Sequence, residues 1–292
     1  PFSFDITDYL QENNTITVYV EDDTRTGLQP CGKQSQKYPS YHCFYTRVTG
    51  IWQTVWLEYV PTSYIKSFKL TPDVDNSRIH ISTKAIGSGT LTATASFNGK
   101  EVGKTSAVLS GNEANFYIDL SELHLWQPLD AKLYDLKLEF GEDTIDTYFG
   151  MRKITLTDRL MLINDKPVFQ RLVLDQGYYP DGIYTAPSDE ALIKDIELSL
   201  ALGFNGARLH QKVFERRFLY HADRMGYMVW GEYGNWGLDH SKAESLGIFM
   251  PEWMEAVERD YNSPALIGWC PFNETWDING HQQDNNVLKS IY

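Results

Sequence analysis

Hydrophobic and polar positions keep to a period of two through roughly the first half of the chain, then alternate between strand and helix periods. Residues 15–20 and 51–57 each alternate apolar with polar side chains. Asn13 and Asn14 precede the first run, Glu21, Asp22 and Asp23 follow it, and Thr49 with Gly50 leads into the second. Period two between turn residues predicts two strands, joined by a polar loop over 24–41. So few strands in residues 1–60 predict only part of a β-domain.

Residues 61–150 continue the two-residue period. Runs at 64–70, 78–82, 89–97, 115–120 and 134–140 predict strands, and Asn98-Gly99 predicts a tight hairpin because both residues tolerate positive φ. That spacing is the pattern of an immunoglobulin-like β-sandwich, here without the Cys and Trp hallmarks of antibody domains, and its expected role is a structural spacer.

From Met151 the period changes. Residues 167–175 form an extended run ending at Asp175. Ser188 then caps a helix that carries Asp189 and Glu190 in its first turn and Leu192, Ile196 and Leu200 on one face. Gly203 ends it. A strand at 204–210, a helix from Arg216 to Met225 stopped by Gly226, and a strand at 227–233 follow. Pro251 is expected to open a further helix with Trp253, Val257 and Tyr261 on one face, before a strand at 265–270. Strand and helix in alternation predict a parallel sheet. Each strand ends in polar groups: Asp175, then Arg208 with His210, then Glu232 with Tyr233, then Asn273 with Glu274. In a (β/α)8 barrel such ends converge on one mouth. An open doubly wound sheet usually adds a Gly-rich phosphate turn, and none is present. Four such units predict the first half of a TIM barrel.

The run at 265–270 has no charged residue, as suits a strand buried on both faces, and the chemistry changes at Asn273 and Glu274. A carboxylate fixed at a strand end, beside an amide and between aromatics, has the positioning and desolvation a general acid needs. A solvated loop with an incidental Glu is the plainer reading, and these residues alone leave both open.

Composition narrows the partners. A net charge of -13 argues against nucleic acid, and no apolar run approaches the ~20 residues of a membrane span. Aromatics make up 14% of the chain, which suits core filling and also the CH faces of sugars. Three cysteines are too few for a disulfide framework: Cys31 and Cys43 could pair, but free thiols are expected. The chain starts at Pro1 with no signal peptide, so the compartment is not legible, and a bacterial cytoplasm or periplasm is the expected setting.

Several separated segments, in one order, resemble glycoside hydrolase family 2, the family of β-galactosidases, β-glucuronidases and β-mannosidases. Residues 4–10 and 49–58 resemble its N-terminal jelly-roll domain. Residues 149–154 resemble the lead into its barrel, and 164–169 its first barrel strand. Phe272, Asn273, Glu274, Thr275 and Trp276 resemble the Asn-Glu segment closing its fourth strand. The resemblance covers essentially the whole chain. It implies the C-terminal part of a jelly roll over 1–60, an immunoglobulin-like sandwich over 61–150 and the N-terminal half of a TIM-barrel catalytic domain over 151–292, truncated at both ends.

The resemblance also implies roles. Glu274 becomes the general acid/base of a retaining double displacement, and Asn273 a hydrogen-bond partner of the sugar's 2-hydroxyl. Asp175, Arg208, His210, Glu232 and Tyr233 occupy strand ends that line the sugar pocket in relatives. Each also has a plainer reading as part of an ion-pair network around the mouth, to which Arg208 is nearly as well suited. Trp236 and Trp276 fall in loops where stacking on a sugar ring is expected. The family's nucleophile sits on its seventh strand, so these residues alone are expected to be inactive. Residues 231–235 depart from the acidic segment that binds magnesium in some relatives, so no metal and no cofactor are expected.

The leading expectation is an exo-acting β-glycosidase on oligosaccharides or glycosides, β-galactosidase first, with β-glucuronidase or β-mannosidase as alternatives. A non-catalytic carbohydrate-binding protein and an interaction fragment are the competing classes. Unpaired edge strands make a homo-oligomer the expected fallback of these residues in isolation.

Overall fold

The computed structural model describes residues 2–275 and 282–291. Within 2–60 there is one short 3-10 turn, Thr7–Tyr9, and a few isolated bridges. The strands expected at 15–20 and 51–57 are not formed. A strand needs a neighbour for its backbone groups, and no described residue pairs with either run, so Ile16, Val18, Trp56 and Leu57 remain more than half exposed. Residues 31–35 behave differently: Cys31, Lys33 and Ser35 are buried. All three cysteines are free thiols.

Seven antiparallel strands follow: β1 (Tyr64–Asp73), β2 (Arg78–Ile86), β3 (Thr90–Phe97), β4 (Lys100–Val108), β5 (Glu113–Asp119), β6 (Tyr134–Phe140) and β7 (Asp143–Phe149). They form two sheets, β1-β2-β5 and β4-β3-β6-β7, with one apolar core between them. Alternation places the core: Ala114, Phe116 and Ile118 of β5 face Leu91 and Ala93 of β3 and Leu136 and Leu138 of β6. Asn98 (φ 52°) and Gly99 (φ 78°) make the predicted hairpin turn. Strands β4 and β7 were not expected. Lys, Glu, Asp and Thr fill their exposed faces, so the apolar signal is thin.

A small antiparallel sheet joins this sandwich to the rest: β8 (Ile154–Leu156), β9 (Met161–Ile163) and β10 (Lys166–Pro167). Residues 164–169 are therefore a hairpin, not the first parallel strand. Asn164 (φ 53°) and Asp165 (φ 61°) both take the left-handed backbone of a tight hairpin turn, which reverses the chain.

The parallel unit then runs β11 (Leu172–Asp175), α1 (Asp189–Ala201), β12 (Gly206–Leu209), α2 (Arg216–Met225), β13 (Met228–Glu232), α3 (Glu244–Asp260), β14 (Leu266–Cys270) and α4 (Asn285–Lys289). The four strands lie in sequence order, all parallel, with all three long helices in the crossovers. Ser188 Oγ caps α1 by accepting from Ala191 N–H at 3.3 Å. Gly226 (φ 65°) closes α2 in the left-handed cap that glycine alone takes at little cost. Helix α3 corrects one expectation, because Pro251 lies inside it rather than at its start. A proline in a helix interior costs ~3 kcal/mol. Burial of Phe249 and Trp253 beside Tyr233 and Phe272, on either side of the proline, offsets that cost.

The sandwich is docked firmly on the parallel unit. Trp126 is fully buried and donates its indole N–H to the Asp223 carbonyl at 2.8 Å. The Asp223 carboxyl collects Tyr148 Oη (2.8 Å) from β7, Ser263 Oγ (2.5 Å) and Ala265 N–H (2.8 Å). Burial pushes that carboxyl up to about 7 despite these donors. A folded-state value raised above the ordinary carboxylate range makes stability fall as pH rises from about 4 to about 7, and level off above that. Urea unfolding across that range should therefore show a decline on the order of 1 to 4 kcal/mol that is absent in Asp223→Asn. Identical pH dependence in both proteins would remove Asp223 as the cause.

Candidate active site

Parallel strands in sequence order bring their carboxyl ends side by side, and the charged residues noted in the sequence meet there. Arg208, on β12, forks between two partners. Its Nε donates to Glu232 Oε2 at 2.6 Å, and its Nη2 donates to Asn273 Oδ1 at 2.7 Å. His210 Nδ1 lies 2.9 Å from Glu232 Oε1, which also accepts the Gln211 backbone N–H at 3.0 Å. The Glu232 side chain has 0% exposure. Burial alone would raise its carboxyl, but His210 and Arg208 outweigh that and hold it below the ordinary value. Glu232 is thus a buried anion that fixes the side chains of Arg208 and His210, and Arg208 passes that order on to Asn273.

The Asn273 backbone is held on both sides. Its N–H donates to Asn235 Oδ1 at 2.9 Å, while its carbonyl accepts from Asn235 Nδ2 at 3.2 Å and from Trp236 Nε1 at 2.9 Å. Asn235 is itself fully buried, and Gln211 Nε2 donates to it at 2.6 Å. The next residue, Glu274, is exposed and has φ 51°. Left-handed backbone costs a non-glycine residue roughly 1–2 kcal/mol, and it persists where surroundings over-determine it. Here the clamp on Asn273 supplies that constraint.

The other expected positions stand in different relations to this cluster. Asp175, at the end of β11, accepts the Gly177 N–H at 2.9 Å, and burial raises its carboxyl. Tyr233 does not join the mouth. Its ring packs on Phe249 and Trp253, and its hydroxyl donates to the Glu252 carboxylate of α3. Successive side chains of an extended backbone point to opposite faces, so with Glu232 facing Arg208 and His210, Tyr233 faces the helices. Trp236 lies edge-on to His210, with ring centroids 6.3 Å apart. Trp276 lies outside the described residues.

Three residues that the sequence pattern did not single out complete the arrangement: Gln211, Lys212 and Asn235. Their one signal is position, as polar residues just beyond strand ends. Lys212 is buried and donates to the carbonyls of Gly177 and Tyr184, both at 2.6 Å, with Trp52 and Tyr184 around its ammonium. Burial lowers it to about 8. It ties the loop after β11 to the N-terminal segment. Among the described residues no three His, Cys, Asp or Glu side chains converge as metal ligands.

The family described as "Glycosyl hydrolases family 2" matches residues 63–152. A β-galactosidase of Clostridium acetobutylicum is 22% identical over 94% of this chain and 33% of its own length. A β-glucuronidase of Rattus norvegicus is 28% identical over 94% of this chain and 46% of its own. Among solved structures, the β-glucuronidase from Ruminococcus gnavus in complex with D-glucuronic acid superposes with a TM-score of 0.67 at 19% identity, covering 80% of this chain and 40% of that one. That structural likeness is one of fold. The chain spans less than half the length of each of these relatives, and its similarity to family 2 lies in the matched domain at 63–152, in these relatives and in the fold.

Proposed function

We propose that the protein is a retaining, exo-acting β-glycosidase in which Glu274 is the general acid/base and Asn273 holds the sugar's 2-hydroxyl. The observation that carries this reading is the clamped peptide before Glu274, which presents an exposed carboxyl from a costly backbone conformation beyond the last of four parallel strands. Strained backbone held in place by surrounding groups is a mark of functional positions. We read the parallel unit as the first half of a (β/α)8 barrel, residues 61–150 as an immunoglobulin-like sandwich, and 1–60 as part of a jelly-roll domain.

In a retaining mechanism Glu274 protonates the leaving oxygen while a second carboxylate, roughly 5–5.5 Å away, attacks the anomeric carbon. Glu232 is unsuited to that attack, since Arg208 and His210 engage its closed-off carboxylate. The family resemblance puts the nucleophile on a seventh barrel strand, which β11 to β14 do not include. Among sugars, β-galactosides are the first reading. β-Glucuronides are the second reading, because curated relatives carry both names. Assaying the whole protein on p-nitrophenyl β-galactoside, β-glucuronide and β-mannoside tests the proposal. Turnover of one of them is the expected result, and inertness toward all three would contradict it.

A further inference from the structure

Residues 31–33 form part of the wall beside Asn273. The N–H groups of Cys31 and Gly32 both donate to the Trp236 carbonyl, at 2.7 and 3.0 Å. Gly32 has φ +57°, and a Cβ on it would lie 2.5 Å from the Gln211 carbonyl oxygen, so only glycine permits this approach. The Lys33 carbonyl accepts the Tyr45 N–H at 2.8 Å, and the Tyr45 ring stacks on Tyr178 at 3.9 Å. The segment is thus pinned on both sides of Lys33.

Lys33 itself is only 5% exposed. A buried ammonium is costly unless something replaces its water. The other buried lysine, Lys212, has two carbonyls, and even the half-buried arginines are matched: Arg152 has the carbonyls of Pro264 and Leu266, and Arg208 has Glu232. The Lys33 ammonium has, among the described residues, one partner, the Trp236 face, with Nζ 3.8 Å from the ring centroid. A ring face replaces only part of the lost hydration. The same indole donates to the Asn273 carbonyl and stands edge-on to His210. Lys33 therefore holds an unneutralised positive charge one indole away from Asn273.

We propose that Lys33 is a substrate-binding residue that takes an anionic group, such as a carboxylate, carried by the glycoside. This rests on reading the mouth as a glycosidase site. The anion belongs either to the sugar, as in a uronoside, or to the aglycone. The test compares wild type, Lys33→Met and Lys33→Arg in the whole protein on three substrates: p-nitrophenyl β-glucuronide, p-nitrophenyl β-galactoside and the β-galactoside of 4-hydroxybenzoate. Met keeps an apolar stem against Trp236 and removes only the charge. A charge-assisted contact predicts a loss of kcat/KM of roughly 10- to 100-fold, carried mainly by KM, on one anionic substrate, with the neutral galactoside nearly unchanged. Arg should restore part of it. Loss on the glucuronide assigns the anion to the sugar, and loss on the hydroxybenzoate galactoside assigns it to the aglycone. Equal losses on neutral and anionic substrates, no loss at all, or a wild type that accepts only the neutral galactoside would overturn the proposal. If wild type hydrolyses none of them, the glycosidase reading fails separately. Calorimetric titration with free D-glucuronate and 4-hydroxybenzoate then decides. Binding that disappears in Lys33→Met supports the anion site, and no binding, or binding that Lys33→Met leaves intact, overturns it.

Discussion

In the whole protein, Glu274→Gln should lose far more activity on a disaccharide or alkyl β-glycoside than on an activated aryl β-glycoside. Gln keeps the shape and removes the proton. A poor leaving group needs that proton, whereas an activated phenolate leaves without it. General acid catalysis is worth roughly 10²–10⁴-fold, so the difference between the two substrates should fall in that range. On the proposed mechanism the same residue would serve the second step as the base that activates water. Azide needs no base, so it should partly restore turnover of the activated substrate and give a glycosyl azide. A Glu274 with a purely structural role predicts equal losses on both substrates and no rescue. Its exposure and its place outside the buried ion cluster favour the first outcome.

A second large effect is expected at Asn273. Hydrogen bonds to the sugar's 2-hydroxyl strengthen in the oxocarbenium-like transition state and supply several kcal/mol. Asn273→Ala should thus cost roughly 10²-fold or more in kcat on a 2-hydroxy glycoside. On the matching 2-deoxy glycoside the further loss should be small, because the hydroxyl is already gone. The substitution also strips Arg208 Nη2 of its 2.7 Å partner, so some general disorder of the mouth is expected on both substrates. Only the difference between substrates reports the 2-hydroxyl contact. Equal losses would mean that Asn273 acts solely through packing.

The extent to which the chain was legible differs by element, for physical reasons. Helices α1 and α2 were readable because caps and apolar spacing are local: Ser188, Gly203 and Gly226 punctuate them directly. Helix α3 was misplaced because Pro251 is a local stop signal that buried Phe249 and Trp253 override. Strands β4 and β7 were missed because one face of each is polar, and their pairing with β3 and β6 is what defines them. In 2–60 the opposite happened. Alternation was present, but no described strand lies alongside to pair with it.

Strand-end chemistry at Arg208, His210, Glu232 and Asn273 was visible because parallel strands put such residues together. Tyr233 was assigned to the mouth with its neighbour, although alternation sends it to the helix side. Asn235, Gln211 and Lys33 carried no motif. Their importance depends on contacts across 38, 21 and 203 positions of the chain, to Asn273, Glu232 and Trp236, which no local pattern encodes.

The most direct test is a crystal structure of the whole protein as Glu274→Gln, soaked with an intact β-glycoside. The account predicts the terminal sugar over the carboxyl ends of β11 to β14, with the Asn273 side chain about 3 Å from the 2-hydroxyl and residue 274 within the same reach of the glycosidic oxygen. A sugar bound elsewhere, or bound there with residue 274 turned away from that oxygen, would contradict it.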